Sequence, residues 1–338
     1  MSLNVGIIGL GFMGKMHFDT YAKIKGVKVT AIADVDVRKR SGDWSGIGGN
    51  IGAAGQRQNL RGIHLYEDAA DLLKDPAVDV VDITLPTYLH ARWAIRALKS
   101  GHHVICEKPM ALKSSEAVAM IATARAARRR LFIAQCIRFW PAYAKARELV
   151  LGKKFGKVVS AVFTRVSTRP TWSWKGWLED PRKSNACVMD LHIHDADFVL
   201  YLLGKPRSVL SCAVKNERNG LDHITTFYNY APGTLVQAEG AWEYHAGFPF
   251  AMTFRIALEK ASLNFAGSDL ILHPANGSPR KVPVEAGDGY YHELKHFVDC
   301  IRRNCASPVV PPESALQSVQ LIEAETKSAR SGKVVRFK

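Results

Sequence analysis

The 338-residue chain has no run approaching the ~20 consecutive apolar residues that a membrane-spanning helix requires, so no membrane partner is expected. Its opening, MSLNVGIIGLGFMG, lacks a basic n-region and runs straight into a strand pattern. No signal peptide is therefore expected, and the reading is of a cytoplasmic protein. Cysteine is sparse and scattered. Cys106, Cys136, Cys187, Cys212, Cys300 and Cys305 contain no CxxC pair, which argues against a disulfide framework or a zinc site and for reduced thiols. Zinc-finger, RNP and homeodomain patterns are missing, as are internal repeats. Acidic residues are outnumbered, 31 against 46 Lys and Arg, for a net charge of +15. The basic residues are dispersed in short groups (38–40, 128–130, 153–154, 302–303) at helix ends and loops, where cations also oppose the helix dipole. That dispersion points to a solvated basic surface that attracts an anionic small molecule, and away from nucleic acid.

What is there is length and rhythm. A chain this long exceeds what one core usually organises, so two domains are expected. Over residues 1–136 short apolar runs alternate with helical patterns, as a parallel α/β sheet requires. Strands are expected at Val5–Gly9, Val27–Ala33, Val78–Thr84, His103–Cys106 and Leu131–Cys136. Helices are expected at Met13–Lys25, Asp68–Lys74, Tyr88–Lys99 and Ser114–Arg128. A glycine-crowded segment, 41–62, interrupts this rhythm and reads as a loop that is either flexible or folded over a ligand. From about Lys157 the texture turns to alternating β-rich runs broken by helices Cys187–Leu203 and Tyr291–Arg303. The expected fold is α/β: a doubly wound parallel sheet, then an α+β domain over 137–311 with a large, mostly antiparallel open sheet. A last helix, 312–330, is expected to pack back on the first domain.

Gly9, Gly11 and Gly14, with Leu10, Phe12 and Met13 between them, follow a strand and open a helix. In that context GxGxxG is informative: the glycines allow a tight turn, close approach of a pyrophosphate and close packing of helix on strand. The helix N-terminus offers unpaired N–H groups to the phosphates. Asp34 ends the second strand twenty residues after Gly14, where a carboxylate can accept from both ribose hydroxyls of NAD and repel the 2′-phosphate of NADP. Arg38, Lys39 and Arg40 work against that preference, so NADP stays open. The Rossmann reading outweighs the plainer one, in which the glycines serve only a turn.

Beyond these residues, GLGFMG (9–14), VDITLPTYLH (81–90), HHVICEKPM (102–110), IRFWPAY (137–143), GKKFGKVV (152–159) and MDLHIHDAD (189–197) resemble, in order and spacing over nearly the whole chain, the glucose–fructose oxidoreductase/inositol dehydrogenase (Gfo/Idh/MocA) family. The resemblance implies that Glu107, Lys108 and Pro109 end a sheet strand beside the nicotinamide, with Lys108–Pro109 cis. An ammonium at Lys108 would stabilise alkoxide character on a reacting hydroxyl. It further implies that His194 exchanges the hydroxyl proton while Asp190 orients it. These two, four apart on a helix, share a face, and a histidine suits proton exchange near neutral pH. Pro86, Thr87 and His90 would lie in the loop near the nicotinamide, although His90 reads equally as a helix-start residue. The HxHxxD pattern of His192, His194 and Asp197 invites a metal, but helical residues two apart point to nearly opposite sides, so no metal is expected.

Three tryptophans crowd Thr168–Trp177, where Trp172 and Trp174 could stack on a sugar ring while Arg169 holds a polar group. Covering a core or an interface is their other reading. Tyr291 is a second candidate substrate wall. Two departures from the family pattern stand out: Ser184-Asn185-Ala186-Cys187 contains no glycine before Asp190, and segment 41–62 is long. The reading is an NAD-dependent enzyme, with NADP possible, that moves a hydride to or from a CH–OH carbon of a sugar, inositol or other polyol-like substrate. Two alternatives accompany it: transient oxidation by a recycled NAD that enables glycoside cleavage, and a non-catalytic dinucleotide sensor. Family resemblance also implies a homodimer or homotetramer.

Overall fold

The computed structural model describes residues 2–49 and 55–337, and it divides by contacts into two units. Unit 1 comprises 1–136, 171–177 and 290–317; unit 2 comprises 137–170, 178–289 and 318–338.

Unit 1 is built on β1 (Leu3–Ile8), β2 (Val27–Ala33), β3 (His64–Tyr66), β4 (Val80–Ile83), β5 (His103–Glu107) and β6 (Leu131–Ala134). All pairs are parallel and the order is β3-β2-β1-β4-β5-β6. This is the doubly wound arrangement, with its reversal of strand order between β1 and β4, and ligands of such sheets sit outside the carboxyl strand ends at that point. Burial on both faces explains why β1, β4, β5 and β6 read as continuous apolar runs. Helices α1 (Phe12–Tyr21), α2 (Val37–Arg40), α3 (Ala69–Leu72), α4 (His90–Lys99) and α5 (Ser114–Ala126) connect the strands. Several elements are shorter than their sequence pattern: among them, the helix expected over 68–74 is the four-residue α3, capped by the Asp68 carboxylate, and the 78–84 strand is only β4. The short β3 carried no signal, because two of its three residues are exposed and it borders the sheet.

Unit 2 holds α6 (Pro141–Leu151), β7 (Val158–Thr168), α7 (Pro181–Ser184), α8 (Ile193–Leu203), β8 (Ser208–Lys215), β9 (Leu221–Asn229), β10 (Leu235–Tyr244), β11 (Ala251–Leu258), β12 (Ala261–Phe265), β13 (Leu270–Pro274), β14 (Arg280–Lys281) and β15 (Val335–Arg336). The nine strands order as β14-β13-β12-β11-β7-β10-β9-β8-β15, antiparallel except for the parallel pair β7–β10. One face is packed: Phe163, Phe254 and Phe265 meet Tyr143 and Phe198 of the helices. The other face carries Leu210, Val214, Phe227 and Leu235, which are exposed.

Two helices follow. The first, α9 (Gly289–Arg302), belongs to unit 1 from Tyr290 on, with Phe297 stacked on Phe132 of β6 at 5.0 Å and the Arg302 guanidinium donating to the carbonyls of Lys25 and Gly26. The second, α10 (Pro312–Ser331), joins unit 1 only through residue 317, and Ser318, Glu325 and Ser328 bond within unit 2. The stretch that rejoins the parallel sheet is thus 290–317 where the sequence reading put 312–330. The amphipathic pattern of α9 fits either sheet, and only the Phe132 partner decides.

Candidate functional site

The turn between β1 and α1 is shaped by its glycines. Gly9 sits at φ +98, where a side chain would be strained, and a Cβ on Gly14 would stand 2.0 Å from the Gly9 carbonyl oxygen. A Cβ on Gly11 would meet nothing within 4 Å, and no side chain caps α1, whose first residues are Phe12, Met13 and Gly14. An uncapped helix start behind an open glycine is what a pyrophosphate fits. Asp34 fixes this turn: its Oδ2 accepts the Leu10 N–H at 2.6 Å, and Oδ1 accepts that of Asp36 at 2.8 Å. Each carboxylate oxygen keeps a second lone pair for a ribose hydroxyl.

Of the three neighbouring cations, Arg38 pairs with Asp36, and Arg40 donates to the Asp34 carbonyl and to Glu67. Lys39 alone brings its charge to the Asp34 carboxylate, at 3.8 Å. The glycine-rich segment packs on the same place. Trp44 is fully buried, donates to the Lys39 carbonyl at 2.9 Å and meets Phe18 edge-on, and a Cβ on Gly49 would strike the Phe12 ring. Gly52 and its neighbours 50–54 lie outside the described residues.

At the end of β5, Glu107 is buried and its Oε2 accepts the Lys108 N–H at 3.0 Å. The Lys108–Pro109 peptide is cis, as the resemblance implied. Pro86 begins the turn after β4. His90 is 1% exposed, so it does not hydrogen-bond to solvent as a helix-start residue would. Its Nδ1 and Nε2 stand 2.8 and 2.7 Å from the carbonyls of Pro109 and Leu85, bracing the two loops that follow β4 and β5. Burial holds its pKa below the usual histidine value, ahead of the opposing bonds to Pro109 and Leu85. In the same unit lie Trp172 and Trp174, 37% and 38% exposed, and Tyr291, edge-on to His292 at 5.5 Å.

In unit 2 the helix expected over 187–203 is broken. Asn185 and Ala186 are left-handed (φ 56 and 54), and Val188–His192 forms a π-helical turn that passes into α8. The backbone therefore keeps, without glycine, a conformation glycine would adopt freely, and it carries a wide turn of the kind often found at functional sites. Asp190 and His194 remain partly exposed while His192, Asp195 and Asp197 are buried. The buried three are braces. His192 Nε2 bonds to Glu325 of α10 at 2.7 Å, Asp195 pairs with Arg165 of β7, and Asp197 takes Arg138 through both oxygens at 2.6 and 2.8 Å. Burial, with the charge of Asp190 next, pushes the Cys187 thiol well above its ordinary value. Arg169, read from sequence as a substrate contact, pairs with the buried Asp222. Among the described residues no group of three or more His, Cys, Asp or Glu is placed to hold a metal ion, and no helix is long and apolar enough to cross a membrane.

Sequence reasoning missed His17, which lies buried between Asp82 and Glu107, and the Arg138–Asp197 and His192–Glu325 pairs. One signal was available: an aspartate, Asp82, inside a strand apolar on both faces.

A doubly wound parallel sheet with an open glycine turn and Asp34 at its switch point, joined to a mostly antiparallel second unit, defines a nicotinamide-dinucleotide oxidoreductase of two-domain type. Comparison bears this out. Residues 3–135 match the profile of an oxidoreductase family with an NAD-binding Rossmann fold, and 147–337 match that family's C-terminal α/β domain. The chain belongs to the Gfo/Idh/MocA oxidoreductase family. It is 26% identical to D-apiose dehydrogenase of Paraburkholderia graminis over 98% of this chain and 89% of that one. It is 25% identical to scyllo-inositol 2-dehydrogenase (NAD(+)) of Bacillus subtilis over 98% and 95%. In fold it is similar to levoglucosan dehydrogenase in complex with NADH and levoglucosan, at TM-score 0.85 and 23% identity over 99% of both chains.

Proposed function

We propose that this protein is an NAD-dependent dehydrogenase that transfers a hydride between the cofactor and a CH–OH carbon of a sugar, inositol or similar polyol. The observation that carries the reading is the coexistence of the open Gly9–Gly14 turn held by Asp34 with a lysine, Lys108, whose backbone is fixed by Glu107 at the end of β5. When bound, NAD supplies the hydride acceptor. Gly9, Gly11, Phe12, Met13 and Gly14 line the phosphate turn, Asp34 takes the adenosine ribose, and Pro86, His90 and Pro109 shape the loops near the nicotinamide. Lys108 stabilises alkoxide character on the reacting oxygen, His194 takes the hydroxyl proton, and Asp190 orients His194. Trp172, Trp174 and Tyr291 supply apolar faces for a sugar ring.

Relatives named as dehydrogenases of D-apiose and scyllo-inositol favour net oxidation over a recycled cofactor, and an intact Lys108, Asp190 and His194 argue against a non-catalytic sensor. The exposed apolar face of the nine-stranded sheet supports a homodimer or homotetramer, and six scattered cysteines with no CxxC pair support a cytoplasmic setting. The test is a screen of inositols, aldoses and anhydrosugars for NADH formation, repeated with Lys108→Ala and His194→Ala. Each variant is expected to lose about 100-fold or more in kcat while NAD affinity stays within about threefold. Turnover unchanged in both variants overturns the assignment of these residues.

A further inference from the structure

Unit 1 buries a charge cluster that the proposed chemistry does not use. His17, on α1, is 0% exposed. Its Nδ1 donates to Asp82 Oδ2 of β4 at 2.8 Å, and its Nε2 stands 3.1 Å from Glu107 Oε1, at the last residue of β5. Tyr21, one turn further along α1, donates to the same Asp82 oxygen at 2.8 Å. The other oxygen of Glu107 accepts the backbone N–H of Lys108. One short chain of contacts therefore runs from the helix that opens at Gly11 to the amide of Lys108.

The charge state of the ring follows from its partners. A neutral imidazole has one N–H, and here both nitrogens face carboxylate oxygens, which accept only. Both contacts are attractive together when the ring carries both protons. Two carboxylates without a cation between them would also cost several kcal/mol each in lost hydration. Other titratable groups facing the cluster are Tyr21, Cys106, His90, whose charge would reach Glu107, and, through Tyr21, Glu293; burial holds His90 below its ordinary value, so it supplies no competing cation, and the others cannot be positive. Burial raises the Tyr21 hydroxyl and the Cys106 thiol above their ordinary values, with the charges of Asp82 and Glu107 adding, so both stay neutral. For His17 itself burial acts downward, but the charge and hydrogen bond of Asp82, then those of Glu107, outweigh it and hold the ring well above the usual histidine value.

We propose that His17 is a positioning residue, a buried imidazolium that fixes the Glu107 carboxylate and through it the backbone of Lys108, coupling the dinucleotide helix to the lysine that acts on the substrate hydroxyl. This rests on the role of Lys108 given above. His17→Asn keeps a donor toward Asp82 and removes the contact to Glu107. Glu107 then loses one of its two restraints, and the ammonium of Lys108 loses its fixed origin. A shift of an ångström in a group that stabilises charge costs up to about 100-fold in rate.

The experiment pairs nitrogen-15 NMR of histidine-labelled protein with the backbone amide of Lys108 and with kinetics. Both His17 nitrogens are expected to be protonated at pH 7.5, and the Lys108 amide proton resonance is expected to move in His17→Asn. With NAD and scyllo-inositol or D-xylose as probes, kcat should fall about 10- to 100-fold while KM and the NAD dissociation constant stay within about threefold. A neutral His17 ring, or an unmoved Lys108 amide in the variant, overturns the proposal. If His17→Asn does not fold, the spectrum of the unaltered protein alone decides. Should Lys108→Ala keep full turnover, the role of Lys108 falls, and the coupling with it, while the ring spectrum is unaffected. Should Lys108→Ala be inactive and His17→Asn retain full kcat, only the coupling falls.

Discussion

Gly240→Ala tests whether the π-helical turn is held where it is by the sheet beneath it. Gly240 lies in β10, paired with Ile224 of β9 and Arg165 of β7, and a Cβ there would stand 2.6 Å from the Cβ and 2.9 Å from the Cα of His192. Carbon atoms in good contact sit ~3.5–4.0 Å apart, so the overlap is about 1 Å. It falls on the backbone of the turn and not on a flexible tip. The turn cannot retreat freely, because His192 is tied to Glu325 at 2.7 Å with both side chains fully buried. Overpacking of this kind costs about 1–3 kcal/mol. In a unit of this size that is a fall in Tm of roughly 2–12 °C. The same displacement carries Asp190 and His194, so kcat should drop about 100-fold where a local softening would leave it unchanged. Thermal unfolding and NADH formation read the two effects. A variant with unaltered Tm and kcat refutes the reasoning.

Other outcomes follow from the buried ions. Asp197→Ala strips Arg138 of a bidentate partner at 1% exposure and should cost about 3–5 kcal/mol, whereas Arg138→Met with Asp197→Leu should recover most of that loss in urea unfolding. Recovery no better than the single variant would show that the pair contributes more than the relief of its own desolvation. Stability should also respond to pH through His17. Its folded pKa is raised, so the folded state binds more protons than the unfolded state above about pH 6.5. The contribution is therefore complete below that pH and declines as pH rises through the folded value. The unfolding free energy measured between pH 7 and 9.5 should show this downward slope, and His17→Asn should flatten it; an equal slope in both proteins would place the titration elsewhere.

Legibility in the sequence followed the range of the forces. Gly9, Gly11 and Gly14 could be read because their job is local: a positive φ, an open face and a 2.0 Å approach are decided within six residues. The apolar runs of β4 and β5 and the alternation of β9 and β10 announced a sheet covered on both faces and one covered on a single face. What could not be read was partnership. His17 meets Asp82 across 65 positions and His192 meets Glu325 across 133, and neither spacing leaves a periodic trace. The partner of Arg169 was unreadable for the same reason, since Asp222 lies on another strand 53 positions away. The π-helical turn also escaped the pattern, because its side chains keep the apolar face an α-helix would have, and only the left-handed Asn185 and Ala186 mark the break.

The braces share a logic that stability alone does not explain. A buried ion pair is rarely worth more than the apolar contact that could replace it, and often less. Yet the His17–Glu107 pair and the His192–Glu325 hydrogen bond each stand directly behind an irregular stretch of main chain that bears proposed chemistry: the loop leaving β5 at Lys108, and the π-turn carrying Asp190 with His194 just beyond. Regular strands and α-helices fix their side chains through their own backbone hydrogen bonds. A loop or a widened turn has fewer of these, so its position must be set from outside, and a directional, charge-assisted bond sets it more narrowly than an apolar contact that can slide. On this view the braces are kept because they limit where Lys108 and His194 can be, which is the quantity that the proposed catalysis reads and that unfolding does not.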